Sequence, residues 1–193
     1  FFDGSAGEAV EHLESALKDA NRQNSATEEV LDLRISLAMI LAFLEDRQSL
    51  QQLNSLHQTD AWYENKMGML WTIRKNMMEI LIYGQFSQIE PALSRINSFR
   101  PRYKKYLLRT SENKVLTYLS LAEKCLSNPQ LLDDVAFRQS ITQQAKELQD
   151  TDIFNLCFIA WLIARCEKKN AYAMMLALVD GGKSSSSIND YNH

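Results

Sequence analysis

Four strongly apolar segments recur along this chain, and each follows a segment with the spacing of an amphipathic helix. Their centres lie near residues 38, 74, 119 and 160, so consecutive centres are about 36, 45 and 41 residues apart. Alternating β-branched runs do not persist, and no Asn-Gly or Asp-Gly pair separates two such runs. A repeat of this length is typical of stacked helical hairpins, because neighbouring pairs bury apolar faces that one pair cannot cover. We therefore expect an all-α chain.

Apolar residues at steps of three and four predict about nine helices. The expected ranges are 7–22, 25–44, 47–57, 62–83, 87–108, 111–127, 130–149, 152–167 and 170–179. Ser-x-x-Glu capping boxes are expected at Ser5, Ser25 and Ser87, a glycine C-cap at Gly84, and a kink or an end before Pro101. The domain organisation that follows is a helical-repeat domain over residues 1–179 and a flexible polar tail over residues 180–193.

Composition narrows the class of protein. The 193 residues are 46% hydrophobic and 23% charged with a net charge of −3, which suits one globular domain and provides no global basic field. The longest apolar run, residues 153–164, is too short to cross a bilayer, so no membrane partner is expected. Three cysteines without metal-ligand spacing favour a reduced, cytoplasmic protein. Because the sequence begins with Phe1, we expect that it starts inside a longer product.

Two segments carry a resemblance to a known family. Gly84-Gln85-Phe86, followed by Ala92-Leu93, resembles the glycine, aromatic and Ala-Leu signature of tetratricopeptide-like repeat proteins. Residues 96–107, together with residues 160–162, are also similar to degenerate bacterial repeat domains of the Bacteroidetes type. The likeness extends over residues 7–179. It implies a right-handed α-α superhelix with a curved surface that binds proteins or peptides, and no reaction; a compact helical bundle is the alternative fold.

Sequence similarity between two segments of the chain supports the repeat. Residues 42–50 resemble residues 164–172 at an offset of 122, or about three repeat periods. In this alignment Ala42 corresponds to Ala164, and Glu45 corresponds to Glu167.

The sequence contains no motif for an enzyme, a metal or a cofactor. There is no Gly-x-Ser-x-Gly, no cysteine beside a base and no phosphate-binding loop. Glu8 and His12 share a helical face, but a metal site needs one or two further ligands. We interpret four other acidic residues as carboxylates at helix starts, where negative charge interacts favourably with the helix dipole. They are Asp60, Glu64, Asp133 and Asp134. We expect a non-enzymatic protein without a cofactor or a metal.

The strongest anomaly in the sequence is its charge distribution. Residues 95–114 carry seven basic side chains against one acid, a net charge of +6, which leaves −9 on the rest of the chain. Phe99, Tyr103 and Tyr106 lie between these basic residues. The expected partner-binding residues are Arg95, Arg100, Arg102, Tyr103, Lys104 and Arg109.

Three readings of this stretch remain open: a solvated face, a site for an acidic protein or peptide, and a nucleic-acid contact in a transcription regulator. We expect a scaffold or adaptor that binds a protein or peptide, and the oligomeric state is left open. Exposed Trp62 and Tyr63 near the basic stretch would add an interaction hot spot.

Overall fold

The computed structural model describes residues 3–146 and 153–186, and every regular element in these ranges is helical. The prediction of an all-α chain is confirmed, with ten α-helices and one 3-10 helix where about nine helices were expected. The α-helices are α1 (Ala6–Arg22), α2 (Thr27–Phe43), α3 (Gln48–Asn54), α4 (Asp60–Met67), α5 (Met69–Gln85), α6 (Ile89–Arg109), α7 (Asn113–Ser127), α8 (Val135–Lys146), α9 (Ile153–Glu167) and α10 (Ala171–Ser186); the 3-10 helix is Pro129–Asp133. None of them is long and apolar enough to cross a membrane.

The chain divides into two compact units. Residues 5–116 form the first unit, and residues 3 and 4 belong with residues 117–146 and 153–186 in the second. Within the first unit α1 packs on α2, α2 packs on α3 and α5, and α5 also packs on α4 and α6. Helices α2 and α5 are buried on several sides, as their apolar sequences predicted, and they form the core of this unit.

The second unit is organised around α9. This helix packs on α8 and on α10, and residues 157–164 are all buried. Its aromatic core joins Phe158 to Tyr118 at 6.4 Å between ring centroids and to Trp161 at 5.6 Å. Asp134 Oδ1 accepts a hydrogen bond of 2.7 Å from the backbone N–H of Phe137, so this carboxylate does cap α8, as interpreted from the sequence.

Five helices end in the same turn. One residue after each of these helices, α1, α2, α5, α6 and α9, adopts a left-handed conformation with φ between 51° and 61°. In chain order these residues are Asn24, Glu45, Ser87, Ser111 and Lys168. In each case the next N–H bonds the carbonyl five residues back, as in Asp46 to Leu41 and Lys169 to Ala164. Glu45 and Lys168, which are 123 residues apart, therefore adopt the same turn. The sequence alignment at an offset of 122 stays a prediction.

Glycine positions correct two helix boundaries. The expected helix over 62–83 is two helices, α4 and α5, because Gly68 between them has φ 91° and ψ 162°. Gly84 lies inside α5 and is not its cap; Ser87 supplies the left-handed residue instead. The break was missed because Met67, Leu70 and Trp71 keep the helical spacing of three and four residues across it.

The proline and serine signals had different outcomes. Pro101 lies within a continuous α6, because Phe99, Tyr103 and Leu107 continue one buried face past it. None of the expected serine boxes forms a side-chain cap, since α1, α2 and α6 begin without one.

Two further ranges differ at the C-terminal end of the chain. The helix expected over 130–149 is the 3-10 helix followed by α8. Helix α10 continues past residue 179 to Ser186, and residues 187–193 of the expected tail lie outside the described residues. The right-handed superhelix, and one helical-repeat domain over 1–179, stay predictions.

Candidate interaction surface on helix α6

A ring of four alternating charges lies where α4, α5 and α6 meet. Lys75 Nζ lies 3.4 Å from Asp60 Oδ1 and 2.8 Å from Glu79 Oε1. Arg95 closes the ring, with Nε 2.7 Å from Glu79 Oε2 and Nη1 3.5 Å from Asp60 Oδ2. Asn76 Nδ2 donates a hydrogen bond of 3.2 Å to Asp60 Oδ1. Each carboxylate faces two cations, so the ring is neutral and it joins three helices.

Helical spacing explains how the ring forms. Lys75 and Glu79 are four residues apart on α5, and they share one face of that helix. Asp60 and Glu64 are likewise one turn apart on α4, and each pairs with an arginine of α6. The second of these pairs joins Arg102 Nε to Glu64 Oε1 at 2.7 Å. The two ion pairs therefore connect α4 to α6 across α5.

Burial makes these ion pairs more costly to break than ordinary surface ion pairs. The side chains of Lys75 and Glu79 are 2% and 5% exposed, and that of Asp60 is 16% exposed. Removing one partner from such a cluster leaves an uncompensated charge in a medium of low dielectric constant. The ring consequently ties the packing of α4 and α6 on α5 to charge pairing as well as to apolar contact.

The pKa values of three tyrosines near the ring are raised by burial and by the neighbouring carboxylates. Burial raises the pKa of Tyr63, and the nearby Glu79 and Asp60 carboxylates raise it further. Burial also raises the pKa of Tyr103, with Asp60 and Glu64 acting in the same direction. For Tyr83 burial and Glu79 raise the pKa, while Arg95 opposes them. Negative charge next to these hydroxyls disfavours the phenolate, so all three tyrosines stay neutral at physiological pH.

The structure divides the expected binding residues between two faces of α6. Arg95 and Arg102 turn toward the acids of α4 and α5. Tyr103 is fully buried, and its ring centroid lies 4.7 Å from that of Phe99, which is 1% exposed. One interpretation of the sequence required aromatic rings of this stretch to stack on a nucleic-acid base. Burial makes these two rings unavailable for such stacking. Three of the six expected residues belong to the internal contacts of the unit.

The remaining expected residues lie away from the ring. Lys104 and Arg109 are exposed, whereas Arg100 is partly buried. Lys105 is exposed beside them, and Leu108 is 52% exposed one turn after the two lysines. Within the described ranges, Lys104, Lys105 and Arg109 make no ion pair. We call Lys104, Lys105, Leu108 and Arg109 the outer face of α6: three cations placed around one apolar side chain.

Other sequence hypotheses have simpler outcomes. Tyr63 is 1% exposed and its ring lies 5.1 Å from Lys75 Nζ, so Trp62 and Tyr63 do not form an exposed hot spot. Asp60 and Glu64 lie in α4, but they pair with cations, and Thr59 is the residue that caps this helix. Among the described residues, no three histidine, cysteine or acidic side chains are grouped to hold a metal ion.

Sequence reasoning missed the buried half of this arrangement. Lys75, Asn76 and Glu79 were passed over within an apolar segment, although their spacing places all three on neighbouring positions of α5. A Lys-x-x-x-Glu pair inside an otherwise buried helix is the signal that would have indicated an internal ion pair. Leu108 was missed because a single leucine in an amphipathic helix is ordinarily interpreted as core.

Comparisons with known proteins found no match to this chain. No protein-family model matches the chain, and neither a curated protein nor a solved structure does.

Proposed function

We propose that this chain is a non-enzymatic helical module that binds an acidic protein segment through the outer face of α6. One observation carries the proposal: internal acids neutralise Arg95 and Arg102, while Lys104, Lys105 and Arg109 surround an exposed Leu108 without an ion pair among the described residues. Cations around an apolar side chain suit a partner with both carboxylates and an apolar contact.

The wider setting of the proposal comes from the sequence. The resemblance to tetratricopeptide-like repeats of the bacterial Bacteroidetes type supports a scaffold or adaptor role. Buried thiols at Cys125, Cys157 and Cys166 suit a reducing, cytoplasmic setting.

The nucleic-acid alternative is the weaker proposal. Single-stranded nucleic acid is held by cations together with aromatic platforms, and Phe99 and Tyr103 lie in the interior of the unit. Tyr106 is partly buried beneath the guanidinium of Arg109, at 5.8 Å from its ring centroid. A partner with carboxylates therefore fits the outer face better than one whose bases must stack.

Fluorescence anisotropy with defined probes tests the proposal. The first probe is a labelled peptide of about 12 residues with glutamate and leucine at helical spacing, and its control replaces every glutamate with glutamine. The second probe is a single-stranded oligonucleotide of the same charge as the acidic peptide. We expect the acidic peptide to bind more tightly than both the glutamine peptide and the oligonucleotide.

Two charge-reversal variants locate the contact. K104E/K105E should weaken binding of the acidic peptide about 10-fold or more, because it removes cations and adds repulsion. K124E/K169E changes the net charge equally at exposed lysines outside the first unit, and it should stay within about 2-fold of wild type. Equal losses in the two variants, or tighter binding of the oligonucleotide with a steep salt dependence, would overturn the proposal.

A further inference from the structure

The first unit has opposite charges at its two ends. Residues 5–46 hold nine acidic and three basic side chains, a net charge of −6. Residues 47–94 are neutral, and residues 95–116 carry +6. The unit itself is therefore nearly neutral, and its charge is separated along the chain.

The packing order converts this separation along the chain into a separation in space. The principal contacts run from α1 to α2, from α2 to α5 and from α5 to α6. Helices α1 and α6 are thus the terminal members of this series, one at the acidic end and the other at the basic end. The neutral ring joins the central helices α4 and α5 to α6 through Arg95, and its charges are already paired.

The acidic end presents carboxylates that have no internal partner. Glu8 and Glu11 are exposed on α1, and Glu29 is exposed at the start of α2. Within the part of the chain that the structure describes, none of these three forms an ion pair. Leu13 and Leu17 of α1 pack against α2, and helical spacing places Glu8 and Glu11 on the opposite side of α1.

We infer that the acidic partner of the outer face is the α1 end of a second copy of this chain. The inference rests on the proposed function, because it uses the same outer face of α6 and names its occupant. In this contact Glu8 and Glu11 of one copy face Lys104 and Lys105 of the next. The helix carrying Glu8 and Glu11 also presents an exposed Ala16, a small apolar side chain, on its solvent side.

The geometry of such a contact is head-to-tail. The two surfaces lie on different helices, so a pair of copies keeps one unused acidic end on one copy and one unused basic end on the other. Association then continues beyond a dimer unless rotation closes a ring. The contact is electrostatic, and it weakens as salt shortens the screening length from about 30 Å at 0.01 M to about 8 Å at 0.15 M.

Sedimentation velocity of the full chain at low ionic strength tests the inference. For wild type the weight-average mass should rise with protein concentration beyond that of a dimer, and it should fall when salt is added. E8K/E11K places lysines on both contact surfaces, and K104E/K105E places glutamates on both. Each variant alone should associate about 10-fold or more weakly than wild type.

Mixing the two variants is the decisive step. An equimolar mixture of E8K/E11K and K104E/K105E should recover association, because lysines on one variant again meet glutamates on the other. The matched control is K124E/K169E alone, which has the net charge of K104E/K105E but both native contact surfaces. It should associate as wild type does without a second variant, because its α1 and its outer face are unchanged.

The outcomes separate this inference from the proposed function. A wild type that stays monomeric at every concentration, or a mixture of E8K/E11K and K104E/K105E that fails to recover association, overturns self-association. Recovery of association shows that both variants fold. If association is not recovered, circular dichroism decides whether a variant is misfolded. The milder E8Q/E11Q variant should also weaken association, and it provides a second test that does not depend on charge reversal. Binding of the acidic peptide by the same wild-type sample would then leave the proposed function standing, whereas loss of peptide binding would remove both.

Discussion

The guanidinium Nε of Arg95 lies 2.7 Å from Oε2 of Glu79, a carboxylate on a helix that packs directly against α6. This contact shows that part of the basic stretch serves the interior of the first unit. Helix α6 has an inner set of cations, which pairs with acids of α4 and α5. It also has an outer set around Leu108, and these cations make no ion pair among the described residues. Stability and binding should therefore respond to different residues of the same helix.

The buried ring should be sensitive to loss of one charge. Glu79→Gln leaves Lys75 and Arg95 with one carboxylate between them, and we expect it to lower the free energy of unfolding by about 3 kcal/mol. Urea denaturation measures the change. Glu167→Gln is the matched control, because Glu167 accepts a 2.7 Å contact from Lys169 with side chains 41% and 61% exposed. The control should cost less than about 1 kcal/mol, and equal costs would contradict an internal role for the ring.

Pro101 should be a source of instability within α6. It is exposed in a continuous helix, where it supplies no N–H for the ladder. We expect Pro101→Ala to raise the free energy of unfolding by about 1 to 3 kcal/mol, measured by urea denaturation. A lower stability in the alanine variant would indicate that the proline ring makes a contact more valuable than the missing hydrogen bond.

The left-handed turns should accept glycine. Ser87 and Ser111 have φ values of 58° and 61°, a region in which an ordinary side chain costs roughly 1 kcal/mol. Ser87→Gly and Ser111→Gly should each leave thermal stability unchanged or raise it. The same substitution at exposed Ser15, inside α1, should lower stability by about 0.5 to 1 kcal/mol. If all three variants lose stability alike, the turns do not have this geometry in solution.

Stability should fall in alkaline solution partly through Cys166. Burial, with a smaller effect from the neighbouring Cys125, raises the pKa of this thiol to about 11, from an ordinary value of 9.0. An acid whose pKa is raised by folding stabilises the protein below pH 9.0, and this contribution is lost as pH rises toward 11. Chemical denaturation at about pH 8 and about pH 10.5 should show a smaller drop for Cys166→Ala than for wild type. Identical drops would contradict the assignment.

Sequence periodicity was sufficient for the fold class but not for the pairing of charges. The apolar segments of α2, α5 and α9 predicted the buried helices, because burial on several sides requires apolar residues all around a helix. Composition alone could not separate Arg102 from Lys104: both are basic residues of the same stretch, and only the position of α4 beside α6 gives Arg102 a carboxylate. The break at Gly68 was hidden for a similar reason, since its neighbours keep the helical period.

The most direct test of this account compares two neighbouring side chains of α6 in one binding assay. Arg102→Gln and Lys104→Gln each remove one positive charge, and the affinity of the acidic peptide is measured for both by fluorescence anisotropy. We predict that Lys104→Gln weakens binding several-fold, while Arg102→Gln leaves the affinity within about 2-fold of wild type because its guanidinium is engaged by Glu64. Equal weakening by the two variants, or a larger effect from Arg102→Gln, would contradict the division of α6 into an inner and an outer set of cations.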